Sequence, residues 1–179
     1  MIKDSGNRQE FDSGAVRDIQ EGKGRCDLLP LRVIGAIYDA KLDGVIDTTG
    51  DVLTAISEYQ ETGDIKHLVW ALSAFLESPE APFTGWSDMW LEVAIHFEEG
   101  AKKYGEYNWQ KGIPTHRYVN SAVRHYLKML RGDTDEPHDR AFVWNVLCCI
   151  WTSENRPQCE DYMRKETTIN ENENIYTER

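Results

Sequence analysis

The chain of 179 residues lacks any apolar run near the roughly 20 residues that a bilayer-crossing helix needs. Its first residues, MIKDSGNRQEFDSG, have no apolar centre, which argues against a secretory signal. Glycine–serine linkers, low-complexity tracts and internal repeats are also missing, so one compact domain is expected. Cysteine is scarce: Cys26, Cys148, Cys149 and Cys159 show no metal-finger spacing, and two of them adjoin in an apolar run. They read as reduced thiols of a cytosolic protein, with Cys148 and Cys149 in its core. Positive charge is short as well, with 20 Lys and Arg against 31 Asp and Glu and a net charge of -11. That balance opposes a polymeric nucleic acid or an anionic membrane as partner, yet leaves room for a small anion in a local basic pocket.

Alternating strand patterns are absent too, apart from a short strand left open near Gly44–Asp47. Helical periodicity fills the chain, and the fold class expected is all-α. Pro30 opens a first helix with Leu31, Ile34, Ile37, Tyr38 and Leu42 on one side. Thr48 or Thr49 caps a second carrying Val52, Ala55, Ile56 and Tyr59. Asp64 caps a third with Leu68, Ala71, Leu72 and Phe75. After the loop SPEAPFTGW, Ser87 caps a fourth with Met89, Trp90, Val93, Ala94 and Phe97, which Gly105 stops. Pro114 and Thr115 lead into a fifth, which Gly132 ends. Asp135 caps a sixth, with Pro137 in its first turn. Residues 1–12 read as a flexible start, 13–163 as the helical domain with 40–86 as an inserted segment, and 164–179 as a flexible acidic tail.

The scarce positive charge is concentrated. From Gly100 to Arg131 the chain holds seven basic residues and one acid, Glu106. Lys102, Lys103 and Lys111 accompany Tyr104, Asn108 and Trp109 in and before an irregular loop. Arg117, Arg124 and Lys128 follow at spacings of seven and four, flanked by Ser121 and His125, so all fall on one broad face. Arginine offers phosphate a two-toothed fork and lysine a compact charge. Tyr104 and Trp109 offer a purine a stacking surface, worth ~1–3 kcal/mol per base. Asn108 and Asn145 suit a base edge. Trp144 and Trp151 read as core. A plain solvated surface is the competing explanation, but such a face in so acidic a chain would mix its signs.

The segments SGAVRDIQEGKGRCDLLP, HFEEGAKKYGEYNWQKGIP and SAVRHYLKMLRGDTDEPH, with Trp144-Asn145, resemble a family of bacteriophage and prophage proteins described as dATP/dGTP diphosphohydrolases. The resemblance covers about residues 13–31 and 91–152. It implies kinship with all-helical, MazG-like nucleotide pyrophosphohydrolases in the cytoplasm of an infected bacterial host. It also extends the ligand set to Arg17, Lys23 and Arg25, although GKGR alone reads as a simple turn and lacks a P-loop frame. MazG-like enzymes hold magnesium on an EExxE pattern and a later ExxD, since carboxylates at i, i+3 and i+4 share a helix face. Here Glu98-Glu99 lacks the third glutamate, while Glu136 and Asp139 fit ExxD. Glu92, His96 and Glu99 share a face. Glu92, Glu98, Glu99, Glu136 and Asp139 are the metal candidates if the protein is an enzyme, with Glu99 and Glu136 catalytic. The pair His138-Asp139, with His96 and His125, also admits an HD-phosphohydrolase reading. His138 joins the ligand candidates.

A good phosphate cradle beside a poor carboxylate quartet favours capture of a purine nucleotide over its cleavage. On this reading the protein needs no cofactor and sequesters a host immune signal. The alternative is a magnesium-dependent enzyme that cuts dATP or dGTP to monophosphate and pyrophosphate. Six tryptophans and long amphipathic helices point to a homo-oligomer.

Overall fold

The computed structural model describes residues 6–42, with the side chains of 41 and 42 excepted, and 51–162. Among these the fold is all-α, as the periodicity predicts: α1 (Leu31–Leu42), α2 (Val52–Thr62), α3 (Lys66–Glu77), α4 (Trp86–Tyr104), α5 (Thr115–Arg131) and α6 (His138–Asn155). The segment Gly44–Asp47, where the sequence leaves a short strand open, and the tail beyond residue 162 lie outside the described residues.

Capping explains some of the boundaries. α2 is capped by Asp51 rather than Thr48 or Thr49: its carboxylate accepts the N–H groups of Leu53 and Thr54, both at 2.9 Å. Asp64 accepts the N–H of Lys66 at the start of α3. α4 starts one residue before Ser87, at Trp86. Asp135 does not cap α6, because its carboxylate is turned to the side chains of Lys128 and His138. Pro137 precedes the first turn instead. The glycine stops hold: Gly63 and Gly132 end α2 and α5 in the left-handed conformation that only glycine adopts freely.

One feature was not legible in the pattern. Arg8–Glu10 (β1) and Val16–Asp18 (β2) form an antiparallel hairpin, with Arg8 opposite Asp18 and Glu10 opposite Val16. Three-residue strands with exposed side chains carry almost no hydrophobic alternation to read.

α5 and α6 form the most closely packed helix pair, and α6 also packs on α4 and α3. α6 is buried on nearly every side, with Phe142, Val143, Leu147 and Cys148 fully enclosed. Phe75, Phe142 and Tyr126 stack into the aromatic centre of the core. Cys148 and Cys149 are buried free thiols, as expected. No described helix is long and apolar enough to cross a membrane.

Candidate functional site

A pocket of about 460 Å³ opens between α4, the loop after it, and the first half of α5, with α6 as its floor. That volume is in the ordinary range of small-molecule sites, about 300–1,000 Å³. Its walls are Phe97, Tyr104, Tyr107, Trp109, Tyr118 and Trp144, and Gly100, Ala101 and Gly105 leave room on the α4 side. Asn108, Arg117, Ser121 and Asn145 supply the polar groups. Thus Tyr104, Asn108, Trp109, Arg117, Ser121 and Asn145, all singled out from the sequence, come together.

Local folding explains how. Tyr104 is the last residue of α4, and its ring is largely exposed at the pocket mouth. Gly105 then turns the chain with φ +89°, and Tyr107 takes a left-handed φ of +54°. This bend brings Asn108–Lys111 back as one turn of 3₁₀-helix over α4. Trp109 is buried against Phe97 and Trp151, and the Tyr118 hydroxyl donates to its carbonyl at 3.0 Å. The tryptophan is therefore both pocket wall and core. Asn145 is buried and donates to the Ala141 carbonyl at 2.8 Å. The indole N–H groups of Trp109 and Trp144 are buried and have no hydrogen-bond partner among the described residues.

Arg117 is exposed at the pocket and makes no side-chain hydrogen bond or ion pair among the described residues. The rest of the expected basic face is divided. Arg124 and Lys128 line a separate shallow groove with Asn120, Leu127 and Arg131. The angular spacing along α5 is right, but at 1.5 Å per residue Lys128 stands roughly 16 Å along the axis from Arg117. There it pairs with Asp135 at 2.7 Å. Arg124 reaches only the Ser121 hydroxyl, at 3.4 Å. Lys103 lies over the ring of Tyr104. Lys111 lies outside the pocket lining.

The N-terminal candidates serve another purpose. Glu98 is buried, and its carboxylate accepts the N–H groups of Gly22 at 2.8 Å and Gly24 at 2.9 Å. Lys102 pairs with it at 2.9 Å and with Glu21 at 3.3 Å. The Gly22 N–H, then Lys102 and the Gly24 N–H, hold the Glu98 carboxyl below the usual carboxylate range. Gly24 adopts φ +79°, and an added Cβ there would meet the α4 backbone at Ala94, 3.1 Å away. Arg25 forks onto Asp27 and Glu106, both at 2.6 Å. Lys23 faces Asp18, and Arg17 lies on the exposed β2. The GKGR turn is thus fastened to α4 by Glu98, and its cations are committed to carboxylates.

Of the expected magnesium carboxylates, Glu99, Glu136 and Asp139 all lie within electrostatic reach of His96, whereas three have other partners. Glu98 faces the N-terminal turn. Arg140 bridges Glu99 and Glu92, at 2.9 Å and 3.5 Å. A guanidinium between two carboxylates fills the space and charge that a hard cation needs. The donor set Glu92, Glu98, Glu99 therefore does not fit magnesium. His96 packs on Trp144 beside this bridge. Burial, then the Arg140 charge, keep its imidazole below the usual histidine value, against the pull of Glu99, Glu136 and Asp139. Neither Arg140 nor Tyr107 was singled out from sequence. A lone arginine in an amphipathic helix carries no signal of its partner across the groove.

His125, Glu136 and His138 meet at the far end of α5 and the start of α6. Asp139 follows at the first turn of α6. Ser121 and His125 are one helical turn apart, so this cluster lies about 6 Å further along α5 than the pocket's polar edge.

No curated protein and no solved structure matches the chain. A family model does, over the segment that carries most of the pocket. Residues 86–162, from the start of α4 past the end of α6, match the model described as dATP/dGTP diphosphohydrolase, N-terminal, and this segment is similar to that family.

Proposed function

We propose that the protein binds a purine nucleoside triphosphate in the aromatic pocket and cleaves it to monophosphate and pyrophosphate. The observation that carries the binding half is the pocket itself. Tyr104, Tyr107 and the indoles of Trp109 and Trp144 offer ring surfaces to a base. Asn108 and Asn145 suit the base edge, and Arg117 is the uncommitted cation that suits a phosphate. The cleavage half rests on the family match over residues 86–162. In that reaction a water oxygen bonds to the α-phosphorus and gives up its proton to solvent, the bond from that phosphorus to the α–β bridging oxygen breaks, and pyrophosphate leaves with the bonding pair.

Capture without cleavage, as in sequestration of a host immune nucleotide, is the second reading. One observation favours it: Arg140 occupies the space between Glu92 and Glu99. Self-association belongs to either reading, with Leu127 and Leu130 of α5 about half exposed as its apolar surface.

The test incubates full-length protein with dGTP or dATP and identifies the nucleotides released on heat denaturation by mass spectrometry. Monophosphate with equimolar pyrophosphate supports cleavage. Recovery of intact nucleotide supports capture. Recovery of neither, with no retention on the protein, overturns the nucleotide reading.

A further inference from the structure

The cluster at the start of α6 has the spacing of a metal site. His125 Nδ1 lies 3.0 Å from His138 Nδ1. Glu136 Oε1 lies 3.4 Å from the first nitrogen and 3.6 Å from the second. Ligand atoms bound tetrahedrally at about 2.0–2.1 Å are separated by roughly 3.3–3.4 Å. The three observed separations bracket that value, so the atoms mark one face of a coordination tetrahedron.

The tautomers follow from the surroundings. His138 Nε2 is 2.8 Å from Asp135 Oδ1. An ionised carboxylate only accepts, so Nε2 carries the proton and Nδ1 of a neutral His138 presents its lone pair to the cluster. Asp135 is itself fixed by Lys128 at 2.7 Å. A carboxylate behind a histidine is the usual support of a metal-bound imidazole: it sets the tautomer and raises ligand basicity. The side chains of His138 and His125 are 1% and 9% exposed, while that of Glu136 is 45% exposed. Two buried nitrogens and one oxygen at the rim leave an open side toward solvent.

We propose that His125, Glu136 and His138 bind a borderline transition-metal ion of the zinc class, with Asp135 as the positioning residue behind His138. Two nitrogens and one carboxylate favour such an ion over magnesium, which prefers all-oxygen surroundings and retains its waters. The fourth position is left for water or a ligand oxygen. The competing set Asp133, Asp135 and His138 is less suitable, because Arg131 and Lys128 already hold its two carboxylates. A simple His125-to-His138 hydrogen bond accounts for the 3.0 Å contact. It does not account for Glu136 closing the triangle.

The test uses metal alone, so its failure leaves the nucleotide reading standing. Full-length protein stripped with chelator is titrated with Zn²⁺ by calorimetry and with Co²⁺ by visible absorption. The expected result is one ion per chain, with a tetrahedral cobalt spectrum free of the thiolate charge-transfer band that cysteine ligation would give. Glu136→Gln, at an exposed position, retains the fold and weakens zinc at least tenfold. Asp135→Asn weakens it ~10–100-fold, the usual effect of losing such a support. His125→Ala, checked for folding by circular dichroism, abolishes it. No stoichiometric binding, a thiolate-type spectrum, or unchanged affinity in Glu136→Gln and Asp135→Asn overturns the proposal.

Discussion

Replacing Glu98 with glutamine exchanges one carboxylate oxygen for an NH₂ group and should loosen the whole N-terminal turn. The native carboxylate accepts the N–H groups of Gly22 and Gly24, one on each oxygen, and pairs with Lys102. Glutamine keeps one accepting oxygen and sets an NH₂ group against the other backbone N–H, leaving a buried donor facing a donor. Hydrogen bonds to charged groups contribute ~1.5–3 kcal/mol each. Losing one and weakening the other should cost about 2 kcal/mol. For a chain of this size, 1 kcal/mol moves the melting temperature by ~2–4 °C, so Glu98→Gln should melt ~4–8 °C lower near neutral pH. The pH dependence has a fixed sign. The folded carboxyl titrates below its unfolded value of 4.5, so its stabilisation is complete above that value and is lost as pH falls through the lower, folded one. The gap between wild type and variant should therefore narrow on acidification below about pH 4. Melting curves followed by circular dichroism at neutral and acid pH measure this. Equal melting temperatures near neutrality, or a gap that does not shrink in acid, would refute the assignment of Glu98 as the fastener of this turn.

Gly24→Ala should lose at least ~1–2 kcal/mol from the left-handed backbone alone, and its Cβ would press on α4 at Ala94; chemical denaturation reads the loss, and an unchanged midpoint would count against the close approach. Arg117→Ala should weaken binding of a non-hydrolysable purine triphosphate by ~1.5–3 kcal/mol while the melting temperature holds, whereas Lys128→Ala, removing a cation already paired with Asp135, should change affinity far less; calorimetry giving the reverse order would move the phosphate to the other groove. Tyr104→Ala should cost ~1–3 kcal/mol of nucleotide affinity through lost stacking and little stability, since the ring is exposed. Trp109→Ala should instead destabilise the fold by ~3–5 kcal/mol, and a variant that melts like wild type would show that the indole is not part of the core.

The helices were legible because their apolar residues recur at helical spacing and burial follows that spacing. Val93, Ala94 and Phe97 of α4 and Val119, Ala122 and Tyr126 of α5 all lie in the core. Glycine stops at Gly63, Gly105 and Gly132 were legible for the same local reason, a backbone conformation that other residues resist. Caps were less so: Asp51 stood next to the threonines chosen, and Asp135 proved to serve His138 and Lys128. The aromatic half of the pocket was legible because Tyr104, Asn108 and Trp109 are neighbours in sequence and the loop keeps them together.

The charge pattern was legible only in part, because an ion pair is a relation between distant residues. Seven cations and one acid between Gly100 and Arg131 read as a positive island when only that segment is counted. In the folded chain, acids arrive from elsewhere. Glu21 comes to Lys102, while Asp135 and Asp133 come back from the next turn to Lys128 and Arg131. Glu106, the segment's own acid, leaves for Arg25. Among the described residues, what remains without a carboxylate is Lys103, Lys111, Arg117 and Arg124, and of these only Arg117 lines the pocket. A pocket served by one such arginine and by aromatic walls asks less of bulk charge than of geometry. Its affinity should therefore resist added salt more than a broad basic face would, because screening weakens distant charges and spares bonded ones. Nucleotide affinity measured across a range of ionic strength decides between the two. A shallow dependence fits recognition by the pocket walls, and a steep one returns the phosphates to the outer face of α5.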